Sequence, residues 1–486
     1  MKLQTILKHR RIQWLFCALW VIAFLFTAGG IASAEEPSAA ELKARLESLE
    51  QQTTALRAEL AQLNAKAQAG MDNVQFQPGV YVVPTDGAVG ANADVVVSET
   101  TVPQEVSDFV DQKVKGFAWK KGGFTITPYG RLWASVIAST AGFTPNDIVM
   151  RILPDDDNTT CSVTFRQTRF GVNIAAPDLP FAPCGSPLKM SGRFEFDFMN
   201  INSTMENKSG FQIRHAYWKI ENDYGRFLFG QTNDVVAPLF SNIMNYMNMG
   251  FAGNIGYRNP QIQLAHYFHP TNCVKIEAII ALAQHCGADF PSNDRLSSWP
   301  TIQACLGWHI QRGCNLEPIQ FGISGHIGEQ RYAFAEEITI RSWSANAYLR
   351  VPVTQYMGFQ GEFFTGQGLS ALCGGVGQSL DYKVATGTGS KRSIHSTGGW
   401  AEIWFDLTPN ARMTIGSGID DPLDDDMEAA NILLNSVIFA NIRYSFTENL
   451  RTGLEYSYWR TDYAMADNTV SHSRASVLEW MWQFDF

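Results

Sequence analysis

The last fifteen residues, 472–486, read HSRASVLEWMWQFDF. From Leu478 onward a large apolar residue recurs at every second position: Leu478, Trp480, Trp482, Phe484 and Phe486. Glu479, Met481, Gln483 and Asp485 fall between them. A period of two is that of a β-strand with one greasy face and one wet face. An exposed terminal strand of this kind invites edge-to-edge aggregation in water. In a bilayer a closed barrel needs such a strand, because the last strand must pair with the first and turn its apolar side to lipid. This stretch therefore narrows the choice of fold more than any other part of the chain.

The pattern repeats upstream. Sixteen alternating segments can be placed from 124–138 through 162–174, 188–200, 211–220 and 224–233 to 450–460 and 472–486. Short connections (221–225, 269–272, 408–410, 447–449) alternate with long ones (139–161, 234–259, 285–300, 365–396, 420–431). Sorting of loop length by parity is expected when one rim faces the periplasm and the other the exterior. Within 189–198, Lys189, Ser191, Arg193, Glu195 and Asp197 share one face, opposite Met190, Phe194, Phe196 and Phe198. The expected class is all-β: a transmembrane antiparallel barrel of about sixteen strands over 121–486, wide enough for an aqueous channel. Mean hydropathy is −0.11, which does not exclude this, since barrel strands are apolar at only half their positions. With 12% aromatic residues and 13 Trp, the composition suits interfacial girdles.

Three segments precede the barrel. Residues 1–34 combine Lys2, Lys8, Arg10 and Arg11 with an apolar run from Leu15 to Phe26 and a small-residue site at Ala32-Ser33-Ala34. This predicts a signal peptide cleaved after Ala34. Residues 35–66 are read as a coiled-coil stalk, with Leu42, Leu49, Leu56 and Leu63 at seven-residue spacing and Leu46 and Leu60 between them. A lone amphipathic helix lying on the barrel is the alternative. Residues 67–120, rich in Gly, Ala, Val, Pro and Asp, read as a linker, a plug or a partner-binding segment. The net charge of −10, more negative once the leader's four cations are gone, argues against nucleic-acid binding. After cleavage seven cysteines remain. Cys273 with Cys314 and Cys286 with Cys305 are the pairs that the strand map allows, and free thiols are the alternative.

TFRQTRFGVNI, MSGRFEFDFMN, FQIRHAYWKI and FLFGQTNDVVAPLF, all within 164–240, resemble the successive early strands of the DcaP-type porins. The Phe ending also resembles the C-terminal signal of bacterial outer-membrane barrels. The resemblance implies an outer-membrane location, a homotrimer held by the barrel and the N-terminal coiled coil, and passive diffusion of small anions such as dicarboxylates. Phosphate- or sugar-selective channels and a structural envelope tether are the alternatives. The continuation Asn233-Asp234 departs from the aromatic-rich run common in the family.

In a channel of this kind the chemistry is electrostatic, and no cofactor, metal or catalytic group is expected. Arg131, Arg166, Arg193, Arg214, Arg412, Arg443 and Arg451 are candidate pore-lining cations, with Glu195 and Asp197 as acidic neighbours. Arginine suits carboxylate recognition because its planar fork binds both oxygens. Such arginines also form structural ladders with Glu195, Asp197, Glu402 or Glu455. Arg166 and Arg169 have opposite parity, so only a bulge lets both face inward. The connection 234–259 is expected to fold into the lumen, with Asp234, Asn242, Asn245 and Asn248 on a constriction; an outer loop used for subunit contacts is the alternative. Asp155–Asp157 and the acidic run at 420–426 lack calcium-loop spacing and read as solvated loops. His472-Ser473 is the nearest approach to a catalytic pair, and neighbours on a strand point to opposite faces.

Overall fold

The computed structural model describes residues 118–486, apart from 146, 181–182, 201–209, 285–293, 296, 314–315, 334–336, 382–390, 428–430 and 466–468. The readings of a signal peptide, a stalk and most of the linker, and the pairings through Cys286 and Cys314, lie outside the described residues.

Sixteen antiparallel barrel strands are present among the described residues. They are β1 (Phe124–Ser139), β2 (Thr160–Thr164 continued by Arg169–Ala175), β3 (Lys189–Asp197), β4 (Gln212–Asn222), β5 (Gly225–Asn233) and β6 (Arg258–Thr271). Next come β7 (Val274–Ala283), β8 (Thr301–Ile310), β9 (Ile319–Ala333), β10 (Glu337–Pro352) and β11 (Met357–Gln367). The last five are β12 (His395–Thr408), β13 (Ala411–Pro422), β14 (Ile432–Ser445), β15 (Leu450–Ala464) and β16 (Val470–Asp485). Each strand pairs with its sequence neighbours, and β16 returns to β1 with Arg131 opposite Asp485 and Ser139 opposite Val477. Phe486 completes the seam: its amide donates to the Gly130 carbonyl at 3.0 Å and its carbonyl accepts from the Gly130 amide at 2.8 Å. A Cβ on Gly130 would stand 2.2 Å from the Phe486 ring, so the seam needs glycine there.

The terminal strand behaves as its alternation requires. Leu478, Trp480, Trp482, Phe484 and Phe486 are 37–48% exposed, whereas Glu479, Met481, Gln483 and Asp485 are at most 7% exposed. The same outward belt runs round the barrel through Phe194, Phe229, Leu264, Ile280, Ile323, Phe363, Ile403, Ile438 and Tyr456. Among the described residues each barrel strand is paired on both sides and the last closes on the first, so the sheet shows no open edge to that belt, as a hydrocarbon environment demands. One rim carries tight turns at 223–224, 272–273 and 409–410; the other carries the long segments 140–159, 234–257 and 368–394.

Two features depart from the simple alternating reading. First, β2 is interrupted at 165–168. Arg131 faces Arg169 and Ser135 faces Thr164, so β2 has one residue more than β1 between these pairs. That bulge turns Phe165 outward and buries both Arg166 and Gln167, and the parity conflict between Arg166 and Arg169 is resolved. Second, three connections of the long-loop rim fold into the barrel. Segments 141–152, 234–257 and 368–381 all contribute buried residues, and the first two join inner-wall side chains in one apolar cluster. Phe143, Val149, Ile152, Leu239, Ile243, Met249 and Ala252 pack there on Ile137, Trp400, Val437, Phe439, Trp459 and Val477. Much of the interior is therefore packed protein, not open lumen. The long connections 139–161 and 365–396, expected on the exterior rim, thus also send residues into the barrel.

Before β1, Trp119–Lys121 forms a short hairpin with Phe124–Ile126 across Gly122-Gly123, so extended structure starts within the stretch read as linker.

Candidate functional site

The segment 234–257 leaves β5 and crosses to the far wall, where inward carboxylates receive it. The Leu239 amide donates to Glu362 (2.9 Å), the Asn242 amide and the Ser241 hydroxyl donate to Glu402 (2.8 and 2.6 Å), and the Met244 amide donates to Glu455 (2.8 Å). Asn441 and Arg443 donate to the Asn242 carbonyl (2.9 and 2.6 Å). A chain crossing a lumen has no ladder to satisfy its backbone, and these wall side chains supply the partners instead. Gly253, at φ +119°, lies so close to β12 and β13 that a Cβ on Gly418 would stand 2.2 Å from the Ala252 carbonyl. The segment 368–381 locks onto the same turn: the Phe251 and Gly256 amides donate to the carbonyls of Cys373 and Leu372.

The four constriction-loop residues singled out from the sequence lie within this arrangement. Asp234 is buried at the loop base and accepts from the Tyr257 amide, Asn259 and Gln303. Burial raises its carboxyl above the usual range against the pull of those bonds. Asn242 donates to Glu402, Asn245 to the Val149 carbonyl, and Asn248 bonds both backbone groups of Ser241. All four are engaged in holding the loop's shape.

The arginines divide into two groups. Arg166 is buried and committed to Asp147 (2.6 Å) and to the carbonyls of Phe198 and Asn200. Arg412 holds Asp406 with both ends of its fork. Arg131 and Arg451 share Asp485. Arg443 is the loop clamp already described. These five sit on β1, β2's bulge and β13–β15 and do not converge on one site.

Arg193 and Arg214 do converge. Arg193 pairs with Glu195, which also accepts from Arg214 (2.7 Å) and from the Tyr129 hydroxyl (2.7 Å). Arg214 reaches on to Asp197 (2.6 Å), which also accepts from Tyr246 of the inner loop (2.8 Å). Tyr129 lies flat across β2 because Gly171 leaves it room; a Cβ there would sit 2.4 Å from the phenol ring carbon. Burial pushes the Tyr246 phenol up to about 12, so it stays a neutral donor to Asp197 across the physiological range.

Between this ladder and the inner loop is a cavity of about 370 Å³. Arg169, Arg193, Arg214 and Arg258 line it, against Glu195 and Asp234. Arg169 and Arg258 have no carboxylate partner among the described residues; Arg258 donates to the Tyr246 hydroxyl and lies over the Tyr257 ring. Neither residue was among the sequence candidates. Parity sets Arg169 against Arg166, which the bulge reverses; Arg258 falls within the connection 234–259, and the alternation that follows it (Asn259, Gln261 and Gln263 inward, Ile262 and Leu264 outward) assigns its position to the outer face. Among the described residues no cluster of three His, Cys, Asp or Glu side chains fits a metal ion.

A closed sixteen-stranded barrel with an oily belt, inward charges and an infolded loop is the architecture of membrane channels of the outer-membrane type. Comparison with solved structures bears this out at the level of the fold. The outer-membrane channel DcaP of Acinetobacter baumannii superposes with a TM-score of 0.61 at 17% identity, over 77% of this chain and 100% of that one. An anion-selective porin from Comamonas acidovorans follows at TM-score 0.49 and 10% identity, covering 75% of this chain and 100% of its own. OmpT of Vibrio cholerae matches at 0.45 and 11%, over 76% and 100%. No protein-family model and no curated protein matches the sequence.

Proposed function

We propose that the protein is an outer-membrane porin through which small hydrophilic solutes diffuse passively, with a preference for anions such as dicarboxylates. The observation that carries the reading is the cavity wall: four arginines against two carboxylates, with Arg169 and Arg258 lacking an ion pair among the described residues. A positive, partly desolvated constriction concentrates anions and repels cations. Glu195 is already bonded by Arg193, Arg214 and Tyr129, and Asp234 by three donors, so neither offers a free acidic face to a passing cation. The fold shared with the channel DcaP supports the porin reading, and the sequence resemblance to that class extends it to dicarboxylates, a homotrimer and an N-terminal stalk in the periplasm.

The test is a reversal potential across a planar bilayer with a tenfold gradient of potassium chloride, then of the potassium salts of dicarboxylic acids. Anion selectivity, with succinate-sized dicarboxylates carrying current, supports the reading. Cation selectivity or no conductance ends it. A serine hydrolase reading finds no support in geometry: His472 is exposed on the outer face and bonds Asp462, whereas Ser473 is buried on the opposite face.

A further inference from the structure

The outward face of β15 and β16 near the long-loop rim departs from the oily belt. Arg460 and Arg474 stand directly opposite each other in the ladder, and His472 stands opposite Asp462 on the next rung of that face. Arg460 is held by Asp462 through Nε at 2.9 Å, and His472 Nδ1 meets the same carboxylate at 2.8 Å. Arg474 is exposed and has no hydrogen bond or ion pair among the described residues. Like charges directly across a strand pair destabilise the sheet unless a counter-anion lies between them. Asp462 satisfies one arginine and leaves the other open.

A groove of about 510 Å³ begins immediately below, on the same outer face. It is lined by Ala138, Thr140, Cys161, Tyr456, Ser476 and Leu478. Its origin is plain in the residues. Where the neighbouring belt carries Trp480, Tyr458 and Leu454, these strands place Ala138, Thr140, Cys161 and Ser476, and small side chains leave a channel through the belt. Ser476 is two residues from Arg474 along β16, so the groove mouth lies about 7 Å from the arginine pair. A cationic mouth over an apolar slot in a membrane-facing wall matches a ligand with a phosphate head and an acyl tail.

We propose that this is a binding site for a phosphorylated glycolipid of the outer leaflet, its phosphate held between Arg460 and Arg474 and one acyl chain laid along Cys161 and Leu478. The inference rests on the strands spanning a membrane and not on which solutes pass through the barrel. A null conductance result would therefore leave it intact.

The full-length protein in detergent is titrated with purified lipid A and, in parallel, with the dephosphorylated lipid and with phosphatidylethanolamine, using native mass spectrometry. Saturable binding of lipid A, weakened about tenfold or more by removing its phosphates or by Arg474→Gln, is expected. Cys161 gives a second readout that locates the site without a variant: lipid A slows its maleimide labelling, and phosphatidylethanolamine does so far less. Equal binding of phosphorylated and neutral lipids, or Cys161 labelling indifferent to lipid A, overturns the proposal. So does an intermolecular disulfide that vanishes in Cys161→Ser, because a second copy of the chain would then occupy the groove.

Discussion

Glu402 is the hub on which the inner loop is hung, and removing it is the most informative perturbation of the fold. Its carboxylate accepts from the Ser241 hydroxyl (2.6 Å), the Asn242 amide (2.8 Å), the Asn242 side chain (2.5 Å) and the Gln360 side chain (2.7 Å). Three of these four donors belong to the loop. A hydrogen bond to a charged acceptor contributes about 1.5–3 kcal/mol, and a buried donor left alone is penalised further. With three such bonds, Glu402→Ala costs the loop's docked state on the order of 4.5–9 kcal/mol. Glu362 and Glu455 still hold the flanks at Leu239 and Met244, and Asn441 and Arg443 keep the Asn242 carbonyl, so the amide side of 240–243 loosens while the segment stays attached.

Two measurements read this. Hydrogen exchange followed by mass spectrometry should show the peptide around Asn242 losing protection by about a thousandfold or more, the lower end of that energy range. Peptides of β11 and β12 should hold theirs. Single-channel records should change from a steady open level to a flickering one, as the loop samples positions off the wall. Unchanged exchange at Asn242, with a quiet channel, would refute the argument that wall carboxylates, and not the apolar cluster alone, hold the loop in place.

Other expectations follow from the same geometry. Arg169→Gln combined with Arg258→Gln brings four arginines and two carboxylates to parity around the cavity, and should lower the anion-to-cation permeability ratio by about threefold or more in reversal-potential measurements. Gly418→Val puts a branched side chain where the Ala252 carbonyl already lies 2.2 Å from an ideal Cβ; the loop tip must lift, and conductance should rise while the barrel stays folded in electrophoresis. Burial pushes the Cys373 thiol up to about 12, so its thiolate forms only as pH rises toward that value. Labelling at pH 8 should be slower than at exposed Cys161 by more than about a hundredfold and should quicken about tenfold per pH unit. Deleting Phe486 removes both backbone bonds that seal β16 to Gly130 and should lower the yield of refolded barrel.

The belt and the strand count could be read from the sequence because a barrel wall obeys a local rule. Each strand faces lipid at every second residue, and neither the Trp480–Trp482 alternation nor the Phe194–Phe196 run needs distant information to be interpreted. The inward crossing of 234–257 was visible only as an unusually long connection rich in Asn, Met and aromatics. Its destination was not, because Glu362, Glu402 and Glu455 lie 123 to 211 positions away along the chain and look like ordinary wet-face residues. The expectation that Asn242, Asn245 and Asn248 face the passage came from their polarity. The structure uses that polarity on the loop's own backbone and on the wall, as a crossing segment without a ladder must.

The bulge at 165–168 shows how one local irregularity sets the electrostatics of the whole passage. Parity alone puts Arg166 and Arg169 on opposite faces, with one guanidinium spilling into lipid. The extra residue sends Phe165 outward in their place. It then gives the two arginines different work: Arg166 is pinned by Asp147 and two carbonyls, and Arg169 is left at the cavity beside Arg214, between Arg131 and Asp197 in the ladder. Asp197 answers Arg214 and Tyr246, and Asp485 answers Arg131. Every acid on that row is therefore engaged by another group, and Arg169 remains the cation available to a passing solute. A barrel with a regular β2 would present one fewer arginine at this point and would have a constriction closer to neutral.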